Sequence, residues 1–107
     1  MEERWLMSLL LDFYGELLTD RQRDCLALHY ESDLSLGEIA EQMQVSRQAV
    51  HDNIHRAEQL LRTYEEKLQL VKQYRRRQQL IRDIQQALSN MPGNTVKIQE
   101  LVAQLEG

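Results

Sequence analysis

Residues 35–57 read SLGEIAEQMQVSRQAVHDNIHRA, and the folding of this stretch decides the architecture. Ser35 precedes an apolar-periodic run and Glu38 stands three residues later, the spacing of a capping box at a helix start. The short helix it opens, 36–42, buries Leu36, Ile39, Ala40 and Met43. Ser46 caps the next helix, leaving Met43-Gln44-Val45 for the turn. Ala40 is small where two helices cross, Met43 and Val45 plug the space between them, and Val50, Ile54 and Ala57 form the inward stripe of the second helix. Such a pair is a helix-turn-helix. Gln44 stands where these turns often hold glycine, because the backbone there often needs a positive φ.

Upstream, residues 2–17 form a first helix. Trp5, Leu6, Leu9, Leu10, Phe13, Tyr14, Leu17 and Leu18 recur at three- and four-residue spacing and make a broad apolar face. Thr19 and Gln22 repeat the capping box and open a helix over 20–31 that buries Cys25, Leu26 and Tyr30, with Leu28 or His29. A short polar break covers 32–34. Downstream no breaker separates Ser46 from Ser89. Leu61, Tyr64, Leu68 and Val71 keep one three-four alternation, and Ile81, Ile84, Leu88 and Met91 keep another. Between them QYRRRQQ is polar, and the helix is expected to bend or break near 72–78. MPGN is a strong stop, after which Asn94 or Thr95 caps a last helix carrying Ile98, Leu101, Val102 and Leu105. The expected class is therefore all-α: a helix-turn-helix domain over residues 1–62 and a helical extension over 63–107 for dimerisation or partner binding.

One Pro, four Gly and 42% apolar residues in 107 agree with an ordered helical chain. The lone cysteine excludes an internal disulfide, and a buried thiol fits a reducing cytoplasm. Glu2 and Glu3 replace the basic start of a secretory signal, and Asp12 and Glu16 interrupt the apolar run before it could span a bilayer. A soluble, unexported protein with no membrane insertion is expected. Charge is unevenly placed within a formal net of −4. Residues 1–45 carry −7, 46–72 carry +1, 73–91 carry +3 and the remainder carries −1.

From Leu18 to Arg62 the chain resembles region 4 of bacterial sigma factors, through LTDRQR, LSLGEIAEQMQVSRQAV and IHRAEQLLR. With WLMSLLLDFYGELLTDRQ before it and KQYRRRQQL after it, the full length resembles the YlxM-type family of small bacterial helix-turn-helix proteins. The resemblance implies that the helix starting at Ser46 reads nucleic acid. Genes of that family neighbour those of the signal recognition particle GTPases, which implies a regulatory role in that pathway.

The candidate nucleic-acid contacts are Ser46, Arg47, Gln48, His51, His55, Arg56 and Arg62. Arg47 and Gln48 suit guanine and adenine edges or phosphates, whereas Asp52 repels phosphate unless it meets a cytosine amine. A second basic site comprises Lys72, Arg75, Arg76 and Arg77, whose guanidinium groups suit RNA phosphate or an acidic partner, or simply form a solvated helix surface. His51 and His55 have the i, i+4 spacing of a metal pair but lack a third ligand, so no metal is expected. No phosphate loop, nucleophile elbow or catalytic constellation occurs. No catalytic residue, cofactor or enzymatic activity is expected.

Two functions follow from these features. One is a cytoplasmic regulator, homodimeric through its apolar helices, that binds DNA or the RNA or protein of the signal recognition particle. The other is a protein-interaction module that binds a GTPase or polymerase subunit without touching DNA. Whether Arg47, Gln48 and His51 converge with Arg56 and Arg62 on one cationic face separates the two.

Overall fold

The computed structural model describes residues 2–93 and 95–106, and these are all-helical, without strands. The helices are α1 (Glu2–Tyr14), α2 (Asp20–Tyr30), α3 (Leu36–Met43), α4 (Arg47–Leu68), α5 (Leu70–Ser89) and α6 (Val96–Glu106), with a single 3-10 turn over Gly15–Leu17. The chain divides into two compact units, residues 1–71 and 72–107. The domain boundary expected after Arg62 falls inside α4, which runs on to Leu68.

In the first unit, local signals set the helix starts. Thr19 Oγ1 accepts the amide of Gln22, and the Gln22 side chain accepts the amide of Thr19. Ser35 and Glu38 make the same reciprocal pair. Each box satisfies two amides that a helix start otherwise leaves without a partner. Met7, Leu10, Leu11, Tyr14 and Leu18 then pack with Cys25, Leu26, Ile39, Ala40, Val50, Ile54, Ala57, Leu61 and Val71 in one core.

The apolar face expected on α1 is corrected by this core. Met7 and Leu11 are buried, while Trp5 (47% exposed), Phe13 and Leu17 lie outside it. Positions 7, 10, 11 and 14 form an i, i+3, i+4, i+7 stripe, and α2 and α4 cover that stripe rather than its neighbour. The Cys25 thiol donates to Met43 Sδ at 3.4 Å, and burial pushes its pKa up. It is a packing group, not a nucleophile.

The helix break also lies elsewhere than expected. QYRRRQQ is continuous helix, and the chain turns instead at Gln69, with φ 56° and ψ 31°. The amides that open α5 find acceptors contributed by other helices. Leu70 N–H donates to Tyr14 Oη at 3.0 Å, and Val71 N–H donates to Glu65 Oε1 at 3.0 Å. Tyr14 in turn donates to the same Glu65 oxygen at 2.7 Å. Two free amides are thus satisfied by a phenol from α1 and a carboxylate from α4, which offsets the cost of a left-handed glutamine.

Tyr30 on α2 donates to Glu58 Oε1 on α4. Burial and the Glu58 hydrogen bond raise its pKa strongly; burial and the Glu65 hydrogen bond raise that of Tyr14. A phenol with a folded-state pKa above its ordinary value near 10 keeps its proton better folded than unfolded. Its contribution is complete below pH 10 and is lost as pH rises further. An ultraviolet titration is expected to show Tyr14 and Tyr30 ionising only together with loss of helix, later than exposed tyrosines. Four tyrosines titrating together below the unfolding transition would contradict this.

The second unit contains α5 beyond Val71, the turn at MPGN and α6. Gly93 has φ 102°, a conformation that side chains disfavour, so the turn needs glycine there. Asn94, one of the two expected caps of α6, lies outside the described residues. Ile81 and Leu88 of α5 pack with Val102 of α6 as a small core, and Gln85 donates to Glu106 between the same helices.

Candidate nucleic-acid interface

The helix-turn-helix is α3, Gln44-Val45-Ser46 and α4. At the end of α3 the Val45 amide bonds to Ala40 O at 3.1 Å and the Gln44 amide to Glu41 O at 3.4 Å. These nested bonds form a Schellman motif, with Gln44 in the left-handed region at φ 57°, as the sequence pattern requires. Ser46 Oγ then accepts the Ala49 amide at 3.0 Å and starts α4.

Ser46, Arg47, Gln48, His51 and His55 lie together on the first two and a half turns of α4 and are exposed. Arg47 makes no ion pair among the described residues. Gln48 Nε2 donates to Asp52 Oδ1 at 3.0 Å, and His51 Nδ1 lies 3.5 Å from the same oxygen. The His51 and His55 rings are parallel, with centroids 6.4 Å apart. Asp52 therefore holds the Gln48 amide and lies beside His51, while Arg47 makes no ion pair among the described residues.

Of the other two arginines, Arg62 does not join the group and Arg56 lies at its edge. Arg62 lies fifteen residues beyond Arg47, roughly 22 Å along the helix, and is paired with Glu3 of α1 at 3.1 Å. By helical spacing Arg56 falls on the side of Gln48 and Asp52, beside Gln59 and Thr63. The exposed surface of α4 is close to neutral: Arg47 and Arg56, neither in an ion pair among the described residues, two histidines, Asp52 and Glu58.

His29 of α2 shares a shallow recess with His51, His55 and Glu58, and its Nδ1 is buried without a hydrogen-bond partner. Among the described residues no three His, Cys, Asp or Glu side chains are arranged to hold a metal ion. The His29 ring meets Tyr30 edge-on at 4.7 Å, so packing fixes it.

The second basic site changes composition once α5 is one helix. Lys72, Arg75, Arg76 and Arg82 fall within about 120° around its axis, and Arg77 falls outside that arc. The stripe lies opposite the side on which Ile81 and Leu88 are buried. Arg82 is hydrogen-bonded to Gln79 at 2.7 Å, a side chain of the same stripe. Arg82 was missing from the expected site because a break near 72–78 would have disconnected it. The 72, 75, 76, 79, 82 spacing reveals it once the helix is continuous. By unit, residues 1–71 carry −7 and residues 72–107 carry +3.

No helix of the described residues is long and apolar enough to cross a membrane. Comparison with known proteins agrees with the geometry. Residues 1–101 match the UPF0122 family, described as "Putative helix-turn-helix protein, YlxM / p13 like". A UPF0122 protein of Geobacillus kaustophilus is 48% identical over 106 residues, which is 99% of this chain and 96% of that protein. UPF0122 proteins of Bacillus cereus strain AH187 and Bacillus thuringiensis subsp. konkukian are each 44% identical over the same shares. The chain belongs to this YlxM-like helix-turn-helix family.

Proposed function

We propose that this protein is a cytoplasmic, homodimeric regulator that binds nucleic acid and works in the signal recognition particle pathway, with α5 supplying most of the phosphate contacts. The observation that carries the reading is electrostatic. Residues 67–82 hold six Lys and Arg and no carboxylate, and four of those cations line one exposed side of α5. Affinity for a polyanion comes chiefly from such cations, through release of condensed counterions. The helix-turn-helix contributes Arg47 and the polar edge of α4, which suit positioning better than tight binding. The pathway assignment rests on the gene neighbourhood that the YlxM-type resemblance implies.

A specific observation favours a second reading, a protein-interaction module. Asp52 engages Gln48, Glu3 engages Arg62, and Glu58 lies in line with His51 and His55 on α4. A nearly neutral helix face suits a GTPase or polymerase subunit better than a phosphate backbone.

The deciding experiment titrates the protein against duplex DNA, signal recognition particle RNA and its GTPase at several salt concentrations. Under the nucleic-acid reading, Arg75, Arg76 and Arg82 changed together to Gln weaken RNA binding at least about tenfold and flatten its salt slope by two to three. Arg47→Ala weakens duplex binding. Unchanged affinity in both variants, with salt-insensitive binding to the GTPase, would establish the protein-interaction module instead.

A further inference from the structure

The unit formed by residues 72–107 has an apolar surface much larger than its core. Ile81, Leu88 and Val102 are its buried hydrophobic side chains. Leu80, Ile84 and Met91, and Ile98, Leu101 and Leu105 of α6, are between 41 and 57% exposed in the whole chain. A 36-residue two-helix unit with so small a core falls below the size at which isolated domains hold themselves together.

These six side chains are not scattered. Along α5, positions 80 and 84 lie on a side turned roughly 70° from the buried Ile81 and Leu88, and Met91 follows in the turn after Ser89. Along α6, positions 98, 101 and 105 form a stripe turned about 60° from Val102 in the same rotational sense. A short turn and the Gln85–Glu106 contact make the helices antiparallel. In an antiparallel pair, equal displacement in the same sense puts both stripes on one side of the seam. The hairpin therefore presents one apolar face, built from Leu80 and Ile84 of α5 and Ile98, Leu101 and Leu105 of α6.

We infer that this face binds the same face of a second copy, closing a four-helix bundle about a two-fold axis. The inference rests on the homodimer reading above and specifies the interface. Two observations, apolar area and symmetry, single out a second copy as the occupant. The six side chains offer on the order of 500 Å² of apolar surface, which with a polar rim approaches the roughly 800 Å² per partner of a stable interface. A face shared by both helices is self-complementary under a two-fold, which lays apolar stripe on apolar stripe. The basic stripe centres about 125° round α5 from this face, and Arg76 and Arg77 border Leu80 and Ile84, so each copy brings these two guanidinium groups to the rim of the contact. The assembly carries two basic stripes facing outward, doubling the cations available to one nucleic acid.

Sedimentation equilibrium of the full chain across micromolar concentrations tests this directly. The wild type is expected to be dimeric, and Leu101→Glu with Leu105→Glu, or Leu80→Glu with Ile84→Glu, to weaken the dimer at least about 30-fold. Leu101→Ala with Leu105→Ala preserves helix propensity and should weaken it about tenfold, which keeps the result interpretable if the Glu pair melts α6. A dimer unaffected by these variants would overturn the interface and leave the homodimer reading standing. A monomeric wild type would overturn both.

Discussion

Leu61→Ala is expected to lower the stability of residues 1–71 by about 3 kcal/mol, the middle of the range for emptying a buried leucine site. Leu61 is fully buried in the core that α1, α2 and α4 share. It lies one turn before Glu65, so little main chain can move inward without disturbing the hydrogen bonds that Glu65 makes. The cavity should therefore stay largely open, and the cost should exceed simple hydrocarbon transfer. Trp5, the sole tryptophan, lies in the same unit and makes fluorescence a reporter of it. With an m-value of about 1.5 kcal/mol/M, the urea midpoint should fall by roughly 2 M. A fall below about 0.5 M would mean the site collapses, contrary to the packing described.

Tyr14→Phe is expected to cost about 2 kcal/mol despite removing a single oxygen. That oxygen donates to Glu65 and accepts from the Leu70 amide. Phenylalanine preserves the ring packing against Tyr64 but leaves the amide without its acceptor and the carboxylate with one donor fewer. Glu65→Ala should cost a similar amount, because Val71 N–H and Tyr14 both lose their acceptor. The three groups act as one network, so the double variant should cost well under the sum of the singles. Additive losses in urea unfolding would show that the junction at Gln69 is held by something else.

The helix-turn-helix was legible because its determinants are local. Thr19 with Gln22, Ser35 with Glu38, and Ser46 with Ala49 each act across three residues, so sequence spacing alone exposes them. The buried side of α1 was not legible to the same degree. Nearly every position from Trp5 to Tyr14 is apolar, so periodicity identifies a helix without fixing which side turns inward. The break at Gln69 was hidden for another reason. Its stabilising acceptor, Tyr14, lies 56 residues away from the amide it receives, and no local signal replaces it.

The candidate interface divides the same way. That Arg47, Gln48, His51 and His55 gather near Ser46 follows from helical spacing. The loss of Arg62 from that group does not, because its partner Glu3 is 59 residues distant. Arg82 became a member of the basic stripe only when α5 proved continuous.

The opposed charges of the two units have a consequence for any titration against a polyanion. Ions released from phosphate by the +3 unit make affinity fall with added salt, whereas screening of the repulsion felt by the −7 unit makes it rise. The two dependences subtract. The apparent number of displaced ions will therefore undercount the phosphates in contact, and a shallow slope from this molecule is a lower bound on its footprint.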